Sequence, residues 1–456
     1  MRNVLIANRG EIAVRIIRSC RELGLPTVAV YSEADADALH VRLADEAVCI
    51  GKPPARESYL NIDALLEAAR RTGADAIHPG YGFLAENARF ARACAAAGIT
   101  FVGPSADAIE QMGDKAVARG LAREAGVPTV PGTDGVTDSD GALAAAAEVG
   151  YPVLIKAAAG GGGRGIRMAG SDAELSDAVA KAGREAEAAF GDGALYVEKL
   201  LLGARHVEVQ VLGDRHGNVI HLYERECSLQ RRRQKLVEEA PSPALDPQQR
   251  QAIAEAAVRL AASVGYAGAG TVEFLVDRSG DFHFIEMNTR LQVEHAVTEA
   301  ITGLDLVREQ LLIADGEALE IGQEDVSLSG ASIEFRINAE DPANRFMPSP
   351  GRVTALELPG GPGVRVDTAM YAGAGVAPFY DSLIAKLIVW APDRRQAIRR
   401  GRRALEELRI EGVKTTIPLH LRLLDDDRVR RGDVHTGYLE ELLDAEGAHL
   451  LGTPAG

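Results

Sequence analysis

Apolar and polar positions follow two alternating periods over the first hundred residues. Val4 to Ala7 is an unbroken apolar run of strand length. Glu11 to Leu23 then repeats at helical spacing and stops at Gly24. The order continues with a strand from Thr27 to Tyr31, a helix from Ile62 to Arg71 and a strand from Ala76 to His78. A helix from Phe90 to Ala97 and a strand from Thr100 to Val102 follow. Strand and helix in alternation predict an α/β fold with a parallel, doubly wound sheet. A further helix, Asp114 to Glu124, is closed by Gly126 and Pro128, and Pro131-Gly132-Thr133 reads as a linker. Residues 131 to about 203 predict a small α/β unit around a glycine-rich loop. From Arg205 the pattern becomes antiparallel strands, with a helix over 247–264, two more strands and a helix near 304–314. Beyond about Ser329 the chain reads mostly as strands, with an Arg-rich helix near 393–408.

Composition narrows the function classes. The chain has 456 residues, enough for two to four domains. Hydrophobic residues are 46% and charged residues 25%, as in globular proteins. A net charge of −16 argues against nucleic acid and anionic membrane as partners. No apolar stretch is long enough to span a membrane, and the apolar run near the start is too short for a signal peptide. Cys20, Cys49, Cys94 and Cys227 form no C-x-x-C pair, which suits a reduced, cytoplasmic protein. Glycine is 48 of the 456 residues, against a usual share of about 7%.

Four stretches carry candidate chemistry. The strand Tyr151 to Lys156 runs into Gly160-Gly161-Gly162-Gly163-Arg164-Gly165, a loop whose N–H groups can face oxyanions. It lacks the G-K-[ST] of a P-loop, and the first turn, from Asn8 to Ala13, lacks the dinucleotide fingerprint. Thr271 to Asp277 and Phe282 to Asn288 read as a hairpin. With Arg278-Ser-Gly-Asp281 as its loop, Glu273 lies across from Glu286, a repulsive pair unless a divalent cation sits between them. Glu286, Asn288, Arg290, Gln292 and Glu294 share one parity and would share one face of an extended segment. Gln230-Arg231-Arg232-Arg233-Gln234-Lys235 is a basic run in an acidic chain, either a solvated loop or an anion-capturing one. The Arg394–Arg403 run has helical spacing and reads as a solvated face. His78 lies at the carboxyl edge of the first sheet and reads as structural; Arg336 reads as a salt-bridged strand residue.

These pieces, in this order, resemble biotin carboxylase. The matching stretches include IANRGEIAVRI, HPGYGFLAEN, IKAAAGGGGRG, RHVEVQV, ERECSLQRRRQKLVEEAP, FIEMNTRLQVEHAVTE, EFRINAEDP and YDSLIAKL. They run from about residue 3 to about residue 440. The resemblance implies a Rossmann-like N-terminal domain over 1–112, an ATP-grasp domain over 113–328 with a mobile lid at about 131–203, and a mixed α/β C-terminal domain over 329–445. It implies ATP phosphates held by Lys115, Lys156, Gly162 and Gly163. Glu198, Lys199, Leu201, His206 and Gln230 would complete the nucleotide site. Glu273, Glu286 and Asn288 would bind magnesium or manganese. Lys235, Arg290, Gln292 and Val293 would hold bicarbonate, Glu294 would be the base, and Arg336 would stabilise the biotin ureido oxygen. The implied partners are a biotin carboxyl carrier protein or domain, a carboxyltransferase subunit such as that of acetyl-CoA or propionyl-CoA carboxylase, and a second copy in a homodimer. No Met-Lys-Met biotin-attachment site occurs, so a separate carrier is expected. Arg233, Ala159 and Pro362 depart from the family pattern. Another ATP-grasp ligase with a different acceptor is the alternative.

Overall fold

The computed structural model describes residues 1–133, 138–157, 167–190 and 193–446. Five parallel strands, β1 (Val4–Ile6), β2 (Thr27–Ser32), β3 (Glu46–Gly51), β4 (Ala76–His78) and β5 (Thr100–Phe101), make the first sheet in the order β3-β2-β1-β4-β5. This is the doubly wound arrangement expected from the alternation. β3 was not legible, because exposed Glu46 shares the parity of the buried Val48 and Ile50 and leaves too short an inward pattern. Helices Gly10–Glu22 and Ile62–Thr72 pack on the sheet through Ile12, Ile16, Ile17, Leu65 and Leu66.

Helix Lys115–Glu124 begins at Asp114, whose carboxylate caps two backbone N–H groups. Next comes a small antiparallel sheet in the order β7-β6-β8, built from β6 (Val153–Ala157), β7 (Arg167–Ala169) and β8 (Leu195–Lys199). Helices Ser139–Val149 and Asp172–Phe190 flank it, so the α/β unit over 131–203 has the expected composition. Gly162, Gly163 and Ala159 lie outside the described residues.

Eight strands of the rest of the chain share one sheet, beside three short two-stranded ladders in the last region. β9 (Arg205–Gly213), β10 (Val219–Arg231), β11 (Gln234–Ala240), β12 (Gly268–Val276), β13 (Phe282–Asn288) and β14 (Ala331–Asn338) are joined by strands Val364–Thr368 and Leu383–Ala391. The order is β13-β12-β9-β10-β11-β14, then Leu383–Ala391, then Val364–Thr368. β11 pairs with β14 across the boundary between the middle and last regions. Side chains from residues 206 to 386 can therefore meet on a single sheet face. The third region also has helices Ile417–Asp425 and Tyr438–Glu446, which the sequence reading did not separate from strands. Among the described residues no helix is long and apolar enough to cross a membrane.

The Arg-rich helix, Arg394–Glu407, is not a wholly solvated face. Arg394 is half-buried and bonds Glu239, and Arg400 donates to the Trp390 carbonyl.

Candidate active site

The hairpin β12–β13 places Glu273 opposite Glu286, as expected, but by a different route. Val276 pairs with Phe282, so the loop has five residues, 277–281, rather than four. That slip alone would set Glu273 opposite Ile285. A β-bulge between Phe274 and Glu273 takes up one residue of β13 and restores the opposition. The extended reading of 286–294 is corrected. β13 ends at Asn288, and Glu294 sits at the N-cap position of the helix His295–Thr302 without a side-chain capping bond. The same-parity side chains still converge, because the intervening turn folds Gln292 back onto β12 and Arg290 back onto Asn288 of β13. Asn288 Nδ2 and Gln292 Nε2 donate to Glu273 Oε1 at 2.8 and 3.0 Å. Arg290 bonds Asn288 Oδ1, Gln292 Oε1 and Glu86.

Of the basic run, Lys235 is the residue that reaches this cluster. Arg232 and Arg233 form a two-residue hairpin turn with φ of 49° and 67°, in the left-handed region such turns require. Arg231 stacks on Phe346. Lys235 Nζ donates to Glu208 at 2.5 Å, Glu294 at 2.6 Å and Glu273 at 3.1 Å. Burial works to lower its pKa, but three carboxylates more than reverse this and hold it well above the ordinary lysine value. Burial likewise works to raise the Glu294 carboxyl, while Lys235, Arg336 and Arg225 hold it well below the usual range. Glu294 thus rests as a carboxylate between Lys235 and Arg336, whose Nη2 lies 2.9 Å away.

Two residues the sequence reading missed support this cluster. Glu208 accepts from Lys235 and from Arg225, and Arg225 also bonds Gln210, Thr271 and Thr298. Both are fully buried. The alternation His206, Glu208, Gln210 against Val207, Val209, Val211 was visible, but it looks the same on a solvated strand. Here both faces of β9 are covered.

A second missed pair lies beside Arg336. Glu238 and Glu334 are direct cross-strand partners, both fully buried. Arg336 Nε donates to Glu238 Oε1, while the second Glu238 oxygen and both Glu334 oxygens have no hydrogen-bond partner among the described residues. Burial, opposed by Arg336, pushes Glu238 up to about 7, and burial pushes Glu334 well above its usual value. The pair therefore takes up a proton on folding. A raised folded pKa gives stability that is complete below the unfolded value, 4.5, and is lost as pH rises through about 7. Glu334→Gln removes the Glu334 share of this uptake. Its melting temperature relative to the parent is expected to rise as the pH climbs above the ordinary carboxylate range; a constant difference would mean Glu334 does not hold a proton.

The nucleotide-side candidates are more spread out. Glu198 is buried between Arg119, 2.7 Å away, and Lys156. Lys199 Nζ donates to the Gly150 and Tyr151 carbonyls at 3.0 and 2.7 Å, so its ammonium ties β8 to the start of β6. Leu201 is partly exposed just past β8, and Gln230 pairs with Lys235 in the hairpin. His206 Nε2 lies 3.0 Å from Glu273 Oε2, which raises the imidazole pKa against the effect of burial. Lys115 Nζ is 3.7 Å from Glu286. His78 is buried and accepts from the Gly80 N–H, in keeping with a structural role.

The donor set at Glu273, Glu286 and Asn288 fits a divalent cation. Burial and the facing Glu273 charge both raise the Glu286 pKa, and an oxygen-binding cation between the two acids relieves that repulsion. Glu208 and Glu294 also lie close to possible ligands, but Lys235 already supplies the cation there.

Three family models match the chain: the N-terminal domain of biotin carboxylase over residues 1–109, the ATP-binding domain of the carbamoyl-phosphate synthase L chain over 114–322, and the C-terminal domain of biotin carboxylase over 334–441. Biotin carboxylase 1 of Bacillus subtilis is 56% identical over 96% of this chain and 98% of its own length. A pyruvate carboxylase subunit of Methanothermobacter thermautotrophicus is 54% identical over 97% and 91%. The biotin carboxylase domain of Hydrogenobacter thermophilus 2-oxoglutarate carboxylase, solved as a dimer with MgADP, ADP and bicarbonate, superposes with a TM-score of 0.93 at 54% identity, covering 96% of this chain and 97% of that one.

Proposed function

The chain belongs to the biotin carboxylase family, a ligase family that uses ATP, magnesium and bicarbonate to carboxylate biotin, and we propose that Glu294, Lys235 and Arg336 carry that chemistry here. The observation behind this reading is one fully buried carboxylate held between a lysine from β11 and an arginine from β14.

In the first step Glu294 takes the bicarbonate proton. The freed oxygen attacks the γ-phosphorus of ATP, the bond to ADP breaks, and carboxyphosphate forms. Lys235, Arg290, Gln292 and the Val293 amide hold the bicarbonate. Lys115, Lys156 and the loop at Gly162 and Gly163 hold the phosphates, with Glu198, Lys199, Leu201, His206 and Gln230 around the nucleotide. A divalent cation on Glu273, Glu286 and Asn288 supplies Lewis acidity toward the phosphoryl oxygens. The low pKa of resting Glu294 reflects its own partners. Once Lys235 turns to bicarbonate and Arg336 to biotin, two of the three cations that hold the pKa down are engaged elsewhere and the carboxylate becomes a stronger base.

In the second step carboxyphosphate breaks into carbon dioxide and phosphate. Phosphate takes the ureido N–H proton, the nitrogen attacks carbon dioxide, and Arg336 faces the negative charge that gathers on the ureido oxygen.

The carbon dioxide acceptor is biotin on a separate carrier protein or domain, and the final transfer belongs to a carboxyltransferase subunit. We place the chain in an acyl-CoA carboxylase of the acetyl-CoA or propionyl-CoA type, in a reduced compartment. Recovery with a keto-acid transferase would move it to the type of the Methanothermobacter relative. A second copy of the chain is a further proposed partner, after the dimer of the Hydrogenobacter domain.

The direct test is ADP release with ATP, magnesium and bicarbonate, with and without biotin. Bicarbonate-dependent release that rises with biotin is expected. No response to free biotin or to a biotinylated carrier would overturn the reading in favour of another ATP-grasp ligase. For the cation, Glu286→Gln is expected to raise the magnesium needed for half-maximal activity by about tenfold or more; an unchanged requirement would take Glu286 out of the site.

A further inference from the structure

Lys386 lies outside the machinery described so far, yet it is fully buried in the strand Leu383–Ala391. Its direct cross-strand partners are Arg336 on one side and Asp367 on the other. A buried ammonium costs several kcal/mol of lost hydration unless it is paired and bonded. Glu11 Oε1, from the first turn of helix Gly10–Glu22, lies 3.1 Å away, and Asp367 Oδ2 lies 3.8 Å away. The hydrogen bond it donates beyond these charges goes to the Val293 carbonyl, at 2.9 Å.

That carbonyl belongs to the turn between Gln292 and Glu294. His295 sits beside it, with Nδ1 2.7 Å from the Gln292 carbonyl. A carbonyl only accepts, so Nδ1 carries the proton. Two consecutive carbonyls are thus gripped by buried donors. In a planar trans peptide the C=O and N–H point in opposite directions. Holding the Gln292 and Val293 carbonyls therefore aims the Val293 and Glu294 N–H groups the other way. Neither N–H donates to any described residue. Both are left for an anion to bond, Val293 partly exposed and Glu294 fully buried, next to the Gln292 side chain.

We infer that Lys386 is a positioning residue for the bicarbonate site: by holding the Val293 carbonyl it orients the 292–294 turn, its N–H groups and the Glu294 side chain for the anion. This rests on the bicarbonate reading given above for Gln292 and Val293. Because Glu11 balances Lys386 from the N-terminal region and Asp367 from the C-terminal one, the turn is fixed only when all three regions are docked.

The test is steady-state ADP release by the full chain, with bicarbonate and ATP varied separately. Lys386→Met keeps the side-chain length and removes the donor. It is expected to raise the bicarbonate KM about tenfold, the effect of losing one charged hydrogen bond, with the ATP KM within about twofold of the parent. The double variant Glu11→Gln/Lys386→Met removes one charge of each sign and guards against a simple folding failure. It is expected to recover thermal stability while keeping the bicarbonate defect. Recovery of the bicarbonate KM together with stability would overturn the proposal, since Lys386 would then act only through the fold. Gln292→Ala, measured alongside, separates the two readings. A raised bicarbonate KM in Gln292→Ala but not in Lys386→Met overturns the role of Lys386 alone. An unchanged KM in both overturns the bicarbonate site and Lys386 with it.

Discussion

Glu294→Gln is expected to lose bicarbonate-dependent ADP release by about 100- to 10,000-fold, the range for removal of a positioned general base. Nucleotide binding should persist, because Lys115, Lys156 and Glu286 lie on other elements. The fold should also persist. Lys235 keeps Glu208 and Glu273 as partners, and Arg336 keeps Glu238. Removing one member of a buried ion pair still costs about 3–5 kcal/mol at its worst, so a lower melting temperature accompanies the variant. Equilibrium binding of an ATP analogue, measured beside turnover, separates the two effects. Near-normal turnover with a normal bicarbonate KM would remove Glu294 from the mechanism.

Arg336→Ala is expected to divide the two half-steps. Biotin carboxylation should fall about 100- to 1,000-fold, as when a donor to a developing oxyanion is removed. Bicarbonate-dependent ATP cleavage should fall far less, because Glu294 keeps Lys235 at 2.6 Å. The Glu238–Glu334 pair sharpens this prediction. Without the guanidinium, Glu238 loses the one hydrogen bond it makes through its side chain, and its pKa, already near 7, rises further. The variant therefore loses more stability relative to the parent at pH 8 than at pH 6. Assays of carboxybiotin and ADP on the same samples give the ratio. Equal losses in both would place Arg336 away from biotin.

The sequence by itself determined the α/β class, the parallel first sheet, the switch to antiparallel strands after Arg205 and most of the charged residues of the site. These were legible because they follow local rules: period-2 and period-3.6 patterning, glycine and proline stops, and motif spacing. The family resemblance added roles that no spacing carries. Tertiary structure decided the rest. It set the Glu273–Glu286 opposition through a bulge that corrects a longer loop. It bent the 286–294 stretch into a turn whose side chains still converge. It picked Lys235 out of a run of basic residues by placing Arg232 and Arg233 at the hairpin tip and Lys235 within the strand that follows. It also buried Glu208, Arg225, Glu238, Glu334 and Lys386, all of which look solvated in the sequence. The physical reason is common to these cases. A polar residue on a strand has the same pattern whether water or another charged strand covers it. Only the long sheet, which carries β11 against β14 across two regions, brings the opposite charges that make burial tolerable.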